Sequence, residues 1–288
     1  MSDGAEDGKS IEARILERHD RLTPSEKRLA RAVLSMRTQL YGMTAAELAA
    51  MADVSNATAV RCFRALGYDS FNAARLSARP QVVQGSPLHR FDSGAGPARD
   101  LAGHLRAESA ALSAAAETFD PATVAAVVAI LSSARRLCVV GYRNSAILAA
   151  YARALLIMVR DHVDLLPHAG MSIAEDLAGL GPPDAVLVMG FRRPPEQLDD
   201  IMAAVSDSGA RLILITDLSG LASALRADLC LRCPIDSPGI FDSYVIAMSL
   251  IGFLGAETAH ARGADARQRM KSIEDLHAQV DNLRAVPR

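Results

Sequence analysis

The sequence predicts an all-α domain followed by a separate α/β domain, and three observations support this. Residues 1–78 show only helical patterns, whereas residues 98–288 contain five short aliphatic runs that alternate with helical stretches. A segment with three Pro and three Gly, Ser77–Pro97, separates the two patterns. We therefore predict a helical domain over 1–78, a linker over 79–97, and a doubly wound α/β domain over 98–288.

Composition excludes several protein classes. Half of the 288 residues are apolar, which excludes a disordered or collagen-like chain. Four scattered cysteines do not make a disulfide scaffold, and the polar N-terminus is no signal peptide. The longest charge-free apolar stretch, about Ser243–Ala256, falls short of the roughly 18 residues that cross a bilayer. We expect a cytoplasmic protein without membrane contact, metal or cofactor.

The net charge of −2 hides an uneven distribution. Residues 9–80 carry 12 basic and 7 acidic side chains, whereas residues 81–288 carry 19 basic and 23 acidic ones. A basic N-terminal third on an acidic remainder favours contact between that third and nucleic acid.

The predicted helices of the first domain begin at clear capping signals. Thr23-Pro24-Ser25-Glu26 and Thr44-Ala45-Ala46-Glu47 both have the capping-box pattern, and Ser55 precedes a third helix. Gly67 is predicted to end that helix with a left-handed backbone.

Residues 48–64 have helix-turn-helix spacing. Ala49 is small enough for a helix crossing, and Asp53 lies where the turn needs a left-handed residue. Helical periodicity places Ala59, Phe63 and Leu66 inward, and Ala57, Arg61 and Arg64 outward. In the major groove, such a helix is predicted to place Asn56 at a base edge and Ser55 and Thr58 at phosphates, with Arg61 and Arg64 on either guanine or phosphate. The candidate DNA contacts are Thr44, Ser55, Asn56, Thr58, Arg61 and Arg64. A packing module with solvated arginines is the alternative.

Buried parallel strands explain the five aliphatic runs of the second domain, Leu137–Val140, Val163–Leu166, Ala185–Met189, Leu212–Ile215 and Asp228–Leu231. We predict helices over about 99–118, 121–131, 241–262 and to about Leu283.

Two strand ends in this domain offer donors to an anion. Gly141, Arg143, Asn144 and Ser145 follow the first strand at a predicted helix start, where backbone N–H groups favour negative charge. Arg192 and Arg193 follow the third strand, where open α/β sheets bind ligands. For the loop after the first strand, the alternative is an ordinary strand-to-helix turn. For Arg192 and Arg193, the alternative is that they pair with acidic side chains on the surface.

Both halves resemble a known family. The stretches LTPSEKRLARAVL and MTAAELAAMADVSNATAVRCFRALGY are similar to the N-terminal domain of the RpiR/MurR family of bacterial transcriptional regulators. Residues 101–282 resemble the sugar-isomerase (SIS) domain that usually follows it. The resemblance implies a dimer or tetramer that binds operator DNA and a phosphosugar effector. The family's second loop usually reads Ser-x-Ser-Gly, but this chain has Gly190-Phe191-Arg192-Arg193, which puts the phosphosugar in doubt and leaves an anionic metabolite.

Four further candidates carry less weight. Glu175 and His168 follow the second strand, where SIS enzymes place acid or base groups, and Glu175 is also a candidate effector contact. A surface or packing role is the alternative for His168. The resemblance puts the helix opened by Asp242-Ser243 near the dimer interface and ligand, which makes Ser243 an effector contact, although a cap is the plain reading. Cys230 and Cys233 are predicted to point to opposite faces of a strand, which argues against a metal site.

Three functions follow from these observations. The first is a ligand-responsive transcription factor, most often a repressor in this family, and not an enzyme. The second is a sugar-phosphate isomerase with a helical appendage, and the third is a regulator whose α/β domain only oligomerises.

Overall fold

The computed structural model describes residues 11–18, 21–35, 43–75, 87–92, 100–168, 170–192, 194–217, 221–237 and 239–284. The chain divides into two compact units. The first comprises residues 1–104 with 237–242, and the second comprises 105–236 with 243–288. The domain limits given above stay predictions.

The regular elements described between residues 11 and 92 are helices. They are α1 (Ile11–Arg18), α2 (Pro24–Ser35), α3 (Ala45–Met51), α4 (Asn56–Ala65) and α5 (Pro87–Asp92), with a helical segment at 71–75. The predicted capping boxes form, since the backbone N–H of Thr44 donates to Glu47 Oε2 at 2.7 Å and that of Thr23 to Glu26 Oε2 at 2.8 Å. Helix α5 lies inside the predicted linker.

The core of the first unit lies between α2, α3 and α4. Leu29, Leu48, Phe63 and Leu66 are fully buried, and the Phe63 ring meets Phe71 edge to face at 5.1 Å. Asp53 and Gly67 have left-handed backbone conformations, with φ of 50° and 82°, which confirms both turn predictions.

The remaining elements follow in α/β order. They are α6 (Leu101–Ala116), α7 (Pro121–Ser133), β1 (Leu137–Gly141), α8 (Asn144–Val159), β2 (Val163–Leu166), α9 (Ala174–Leu177), β3 (Ala185–Gly190), α10 (Gln197–Ser208), β4 (Arg211–Thr216), α11 (Leu221–Ala224), β5 (Leu229–Arg232), α12 (Val245–Arg262) and α13 (Ala264–Arg284). All four strand pairings are parallel, in the order β2-β1-β3-β4-β5. The five predicted strands are therefore confirmed, each end lying within one residue of its prediction.

Alternate residues of each central strand feed cores on the two faces of the sheet. Val139, Leu187 and Ile213 join the core that includes residues of α7, α8 and α12, whereas Val186 and Leu212 join the core beside α10. Cys233 belongs to the first core and Cys230 packs against the second, which confirms their opposite faces.

The long helix α12 begins four residues later than predicted. The sequence placed its start at Phe241 and made Asp242-Ser243 its opening, but the first helical residue is Val245 and Tyr244 is the N-cap. The cause is a backbone hydrogen bond of 3.0 Å from the N–H of Ser243 to the carbonyl of Ile235, which holds the segment against the chain after β5.

A buried carboxylate fixes the amino ends of β1 and β3. The Asp184 side chain accepts hydrogen bonds from Arg135 Nε and Nη2 at 2.9 and 2.7 Å, and from the N–H groups of Arg136 and Gly181. These bonds, that to Arg135 foremost, lower the pKa of Asp184 below its ordinary value. The carboxylate thus aligns the two strands whose opposite ends are described below.

Within the described ranges, no single helix is long and apolar enough to cross a membrane. Helices α6 and α7 together meet the length and composition criteria, but they are bent by 92° at the break between them.

Candidate functional site

The first candidate site is the outer face of α4. Ala59, Cys62 and Phe63 bury the inner face, which leaves Asn56, Arg61 and Arg64 exposed on the other side. This confirms the predicted division of the helix into two faces. Two guanidiniums and an amide on one exposed helix face are the donors that base edges and phosphates accept.

Helix α1 fixes the far end of α4. Arg14 Nη1 donates to the carbonyl of Gly67 at 2.7 Å and its guanidinium stacks on the Tyr68 ring, while Arg18 donates to the carbonyl of Ala65. Positive charge at a helix C-terminus is favourable, so both arginines stabilise the C-terminal end of α4. Sequence reasoning missed both; arginines at i and i+4 in a short amphipathic helix were the available signal.

Two of the three hydroxyls assigned to DNA, those of Thr44 and Ser55, are engaged in helix caps, and the third, that of Thr58, bonds Ser55 and Arg61. Thr44 Oγ1 accepts from the N–H of Glu47 at 3.2 Å, and Ser55 Oγ accepts from the N–H of Thr58 at 3.2 Å. Their contacts with phosphate, like the base or phosphate contacts of Asn56, Arg61 and Arg64, stay predictions.

The second candidate site lies at the carboxyl ends of β1 and β3. These strands are neighbours, and the chain leaves them for β2 on one side and β4 on the other, which makes this the switch point of the sheet. Ser145 Oγ accepts a 3.1 Å hydrogen bond from the N–H of Phe191, so the loops after the two strands are tied together. The structure therefore brings together the two loops that the sequence singled out separately.

Both described arginines of this switch point have left-handed backbones. Arg143 has φ of 55° and precedes α8 without capping it, and Arg192 has φ of 37°. The N–H of Arg192 donates to Asp217 Oδ1 at 3.3 Å, which links its loop to the end of β4. A non-glycine residue in this region costs of order 1–3 kcal/mol, a cost that clusters at functional sites. Arg193 lies outside the described residues.

The other predicted effector contacts near these loops lie in three different environments. Gly141 is buried where α8 crosses β1, and an added Cβ would lie 2.8 Å from Ala149 Cβ and closer still to the Ser145 carbonyl. Asn144 is the exposed first residue of α8. Ser243 Oγ, predicted to contact an anionic effector, instead donates a hydrogen bond of 2.7 Å to Glu108 Oε2.

The residues after β2 do not form an acid–base pair. Glu175 is exposed, and hydrogen bonds from its own backbone N–H and from Ser172 lower its pKa, which makes its carboxylate a weaker base. His168 Nε2 lies 3.9 Å from Asp176 Oδ1 rather than beside Glu175. No described group of three or more His, Cys, Asp or Glu side chains is placed to hold a metal ion.

An apolar cavity of about 600 Å³ lies between α6, α7 and α12. It is lined by residues such as Leu112, Phe119, Val124, Leu250 and Phe253, with Glu257 the one charged residue in its wall. Walls of this kind hold apolar groups, so the cavity is not a site for an anion.

Both parts of the chain match family models. Residues 9–82 match the model of the helix-turn-helix domain of the rpiR family, and residues 130–257 match that of the SIS domain. The chain is 28% identical over 232 residues to YfhH, an uncharacterized HTH-type transcriptional regulator of Escherichia coli strain K12, and the match covers 76% of this chain and 79% of the relative.

Solved structures share the fold at low sequence identity. The sugar isomerase domain of an RpiR transcription factor from Sphaerobacter thermophilus superposes with a TM-score of 0.56 at 22% identity, covering 60% of this chain and 96% of that one. NanR of Vibrio vulnificus, complexed with ManNAc-6P, superposes with a TM-score of 0.56 at 15% identity, covering 94% of this chain and 99% of NanR.

Proposed function

We propose that this chain, which belongs to the rpiR family of DNA-binding transcriptional regulators and carries a C-terminal SIS domain, represses transcription in the cytoplasm and responds to a small anionic metabolite. The observation that carries the proposal is a pair of arginine-bearing surfaces. Arg61 and Arg64 are exposed on α4, and at the switch point Arg143 is exposed and Arg192 is half-buried.

The DNA part rests on α4. Arg61 and Arg64 lie on one exposed face of a helix whose other face is packed, as a recognition helix requires. We expect Arg61→Ala to weaken operator binding by about 5- to 150-fold, because a bidentate contact with a base contributes about 1–3 kcal/mol. A mobility-shift titration measures this, with Arg153→Ala, an exposed arginine on α8, as the matched control. Wild-type binding by both Arg61→Ala and Arg64→Ala would remove α4 as the recognition helix.

The effector part rests on Arg143 and Arg192. Guanidinium groups bind phosphate and carboxylate bidentately, and the structurally similar NanR is complexed with a sugar phosphate. We infer a sugar phosphate or a related phosphate or carboxylate compound as the effector. A thermal-shift panel of anionic metabolites against their neutral parent sugars tests this. Hits that Arg143→Ala and Arg192→Ala both lose support the proposal, whereas no hit, or hits that both variants keep, favour a domain that only oligomerises.

A homodimer completes the proposal, because a two-fold operator is read by two recognition helices about one or more DNA turns apart. The support is the apolar outer face of α12, where Phe253 is 51% exposed beside the cavity. We expect Phe253→Asp to shift the molar mass measured by light scattering towards the monomer, and Met171→Asp, at a more exposed apolar residue elsewhere, to leave it unchanged. Effector binding then shifts the population between dimer geometries of different operator affinity.

A further inference from the structure

A chain of hydrogen bonds runs along the exposed face of α4 from its cap to an arginine. Arg61 Nη2 donates to Thr58 Oγ1 at 3.3 Å, and Thr58 Oγ1 lies 2.9 Å from Ser55 Oγ. Ser55 Oγ also accepts from the N–H of Thr58 at 3.2 Å. Thr58 Oγ1 accepts from the guanidinium, and either hydroxyl can donate in the bond between Thr58 and Ser55, so the bonds are linked and each strengthens the next.

This chain of bonds draws the Arg61 guanidinium back towards the N-terminus of α4. That end of a recognition helix enters the major groove. One of the five guanidinium hydrogens is used by Thr58, and the others remain to meet the O6 and N7 acceptors of a guanine. A held guanidinium loses less rotamer entropy when it binds a base in a fixed plane.

Arg64 provides the internal comparison. It lies one turn further along the same exposed face, and within the described part of the chain no hydroxyl holds its guanidinium. A mobile guanidinium suits a phosphate, which accepts hydrogen bonds from many directions, better than a base edge.

We propose that Thr58 is a positioning residue that orients Arg61 for bidentate recognition of a guanine, while Arg64 contacts the phosphate backbone. The inference rests on the proposed DNA-binding function and gives the two arginines of the recognition helix different targets on the DNA. Thr58 then acts on sequence specificity through Arg61 and contributes nothing to the electrostatic part of the affinity.

The test uses the full-length chain and an operator selected by the wild-type protein from random duplex DNA. Affinities are measured for this operator and for versions in which single guanines are replaced by 7-deazaguanine, which lacks the N7 acceptor. The variants are Thr58→Val, which keeps the shape without the acceptor, Thr58→Ser, which keeps the hydroxyl, Arg61→Ala and Arg64→Ala. Circular dichroism melts verify that each variant is folded.

We expect Thr58→Val to weaken operator binding about 2- to 12-fold, which is the usual contribution of one hydrogen bond. At one position of the operator, this variant should no longer distinguish guanine from 7-deazaguanine. Arg61→Ala should lose the preference for guanine over 7-deazaguanine at the same position. In the double variant, Thr58→Val should not weaken operator binding beyond the loss caused by Arg61→Ala. Thr58→Ser should behave as wild type. The salt dependence should keep its slope in Thr58→Val and lose about one unit in Arg64→Ala.

The inference is overturned if Thr58→Val keeps full discrimination at every guanine, or if Thr58→Ser is as impaired as Thr58→Val. A wild-type protein that selects no sequence overturns the proposed function and this inference with it. A wild-type protein that selects an operator while Thr58→Val matches it overturns the inference alone.

Discussion

The two arginine-bearing faces are built in opposite ways. In the first unit the left-handed non-glycine residue, Asp53, lies in the turn before α4, and the arginines project from a regular helix. At the switch point the left-handed residues are Arg143 and Arg192 themselves. The helix face follows from periodicity, whereas the switch point depends on how two strands and their loops are held.

The largest effect on this contrast is expected from Asp184, which aligns β1 and β3 at the ends opposite the switch point. We expect Asp184→Asn to lower the free energy of unfolding of the second unit by about 2–3 kcal/mol, because the Arg135 guanidinium and two backbone N–H groups lose a buried, charged acceptor. Urea unfolding measures the loss, and Asp200→Asn, an exposed residue of α10, is the matched control. A loss of the same size in both variants would contradict the assigned role.

The same carboxylate makes a pH prediction. The folded-state pKa of Asp184 lies below its ordinary value of 3.8, so its stabilisation is complete above that pH and is lost as the pH falls through the folded pKa. The second unit of the wild type should therefore lose more stability on acidification below about pH 4 than Asp184→Asn does. Parallel acid-unfolding curves for the two proteins would refute this.

A smaller effect is expected where α8 crosses β1. Gly141→Ala places a Cβ 2.8 Å from Ala149 Cβ, and overpacking of this kind costs about 1–3 kcal/mol. It should also move the start of α8 and weaken anion binding, while DNA binding by α4 persists. Gly179→Ala has open space around the new methyl group and serves as the control in the same thermal melts. Equal melting temperatures for the two variants would show that the close approach is not real.

The smallest effect on stability is expected from glycine substitutions at the left-handed residues, which compare the two arginine-bearing faces directly. Asp53→Gly and Arg143→Gly both relieve the strain of a left-handed non-glycine residue, but glycine also increases the conformational entropy of the unfolded chain. Because these two contributions oppose each other, each variant should change the free energy of unfolding by no more than about 1 kcal/mol. Asp53→Gly should keep its DNA affinity, because no base contact is assigned to Asp53. Arg143→Gly should lose the thermal shift with anions. If Arg143→Gly keeps that shift in full, the strained arginine is not part of the effector site.

Elements built on periodicity could be predicted from the sequence. The outward Arg61 and Arg64, the inward Ala59 and Phe63, and the strand ends to within one residue all follow from repeats of 3.6 or two residues.

Features set by long-range hydrogen bonds could not be predicted. The start of α12 at Val245 depends on the bond between Ser243 and Ile235, and the union of the two loops depends on the bond between Ser145 and Phe191. The left-handed Arg143 and Arg192 also violate the local preference that a sequence reveals.

The most direct test of the whole account is operator affinity measured with and without the anion that gives the largest thermal shift. We predict that this anion changes the affinity of the wild type by about 5- to 150-fold, the usual range of allosteric coupling. Arg192→Ala should bind operator as the wild type does without the anion and show no response to it. An unchanged response in Arg192→Ala and Arg143→Ala, or an operator affinity that no anion alters, would contradict the assignment of the switch point as the effector site.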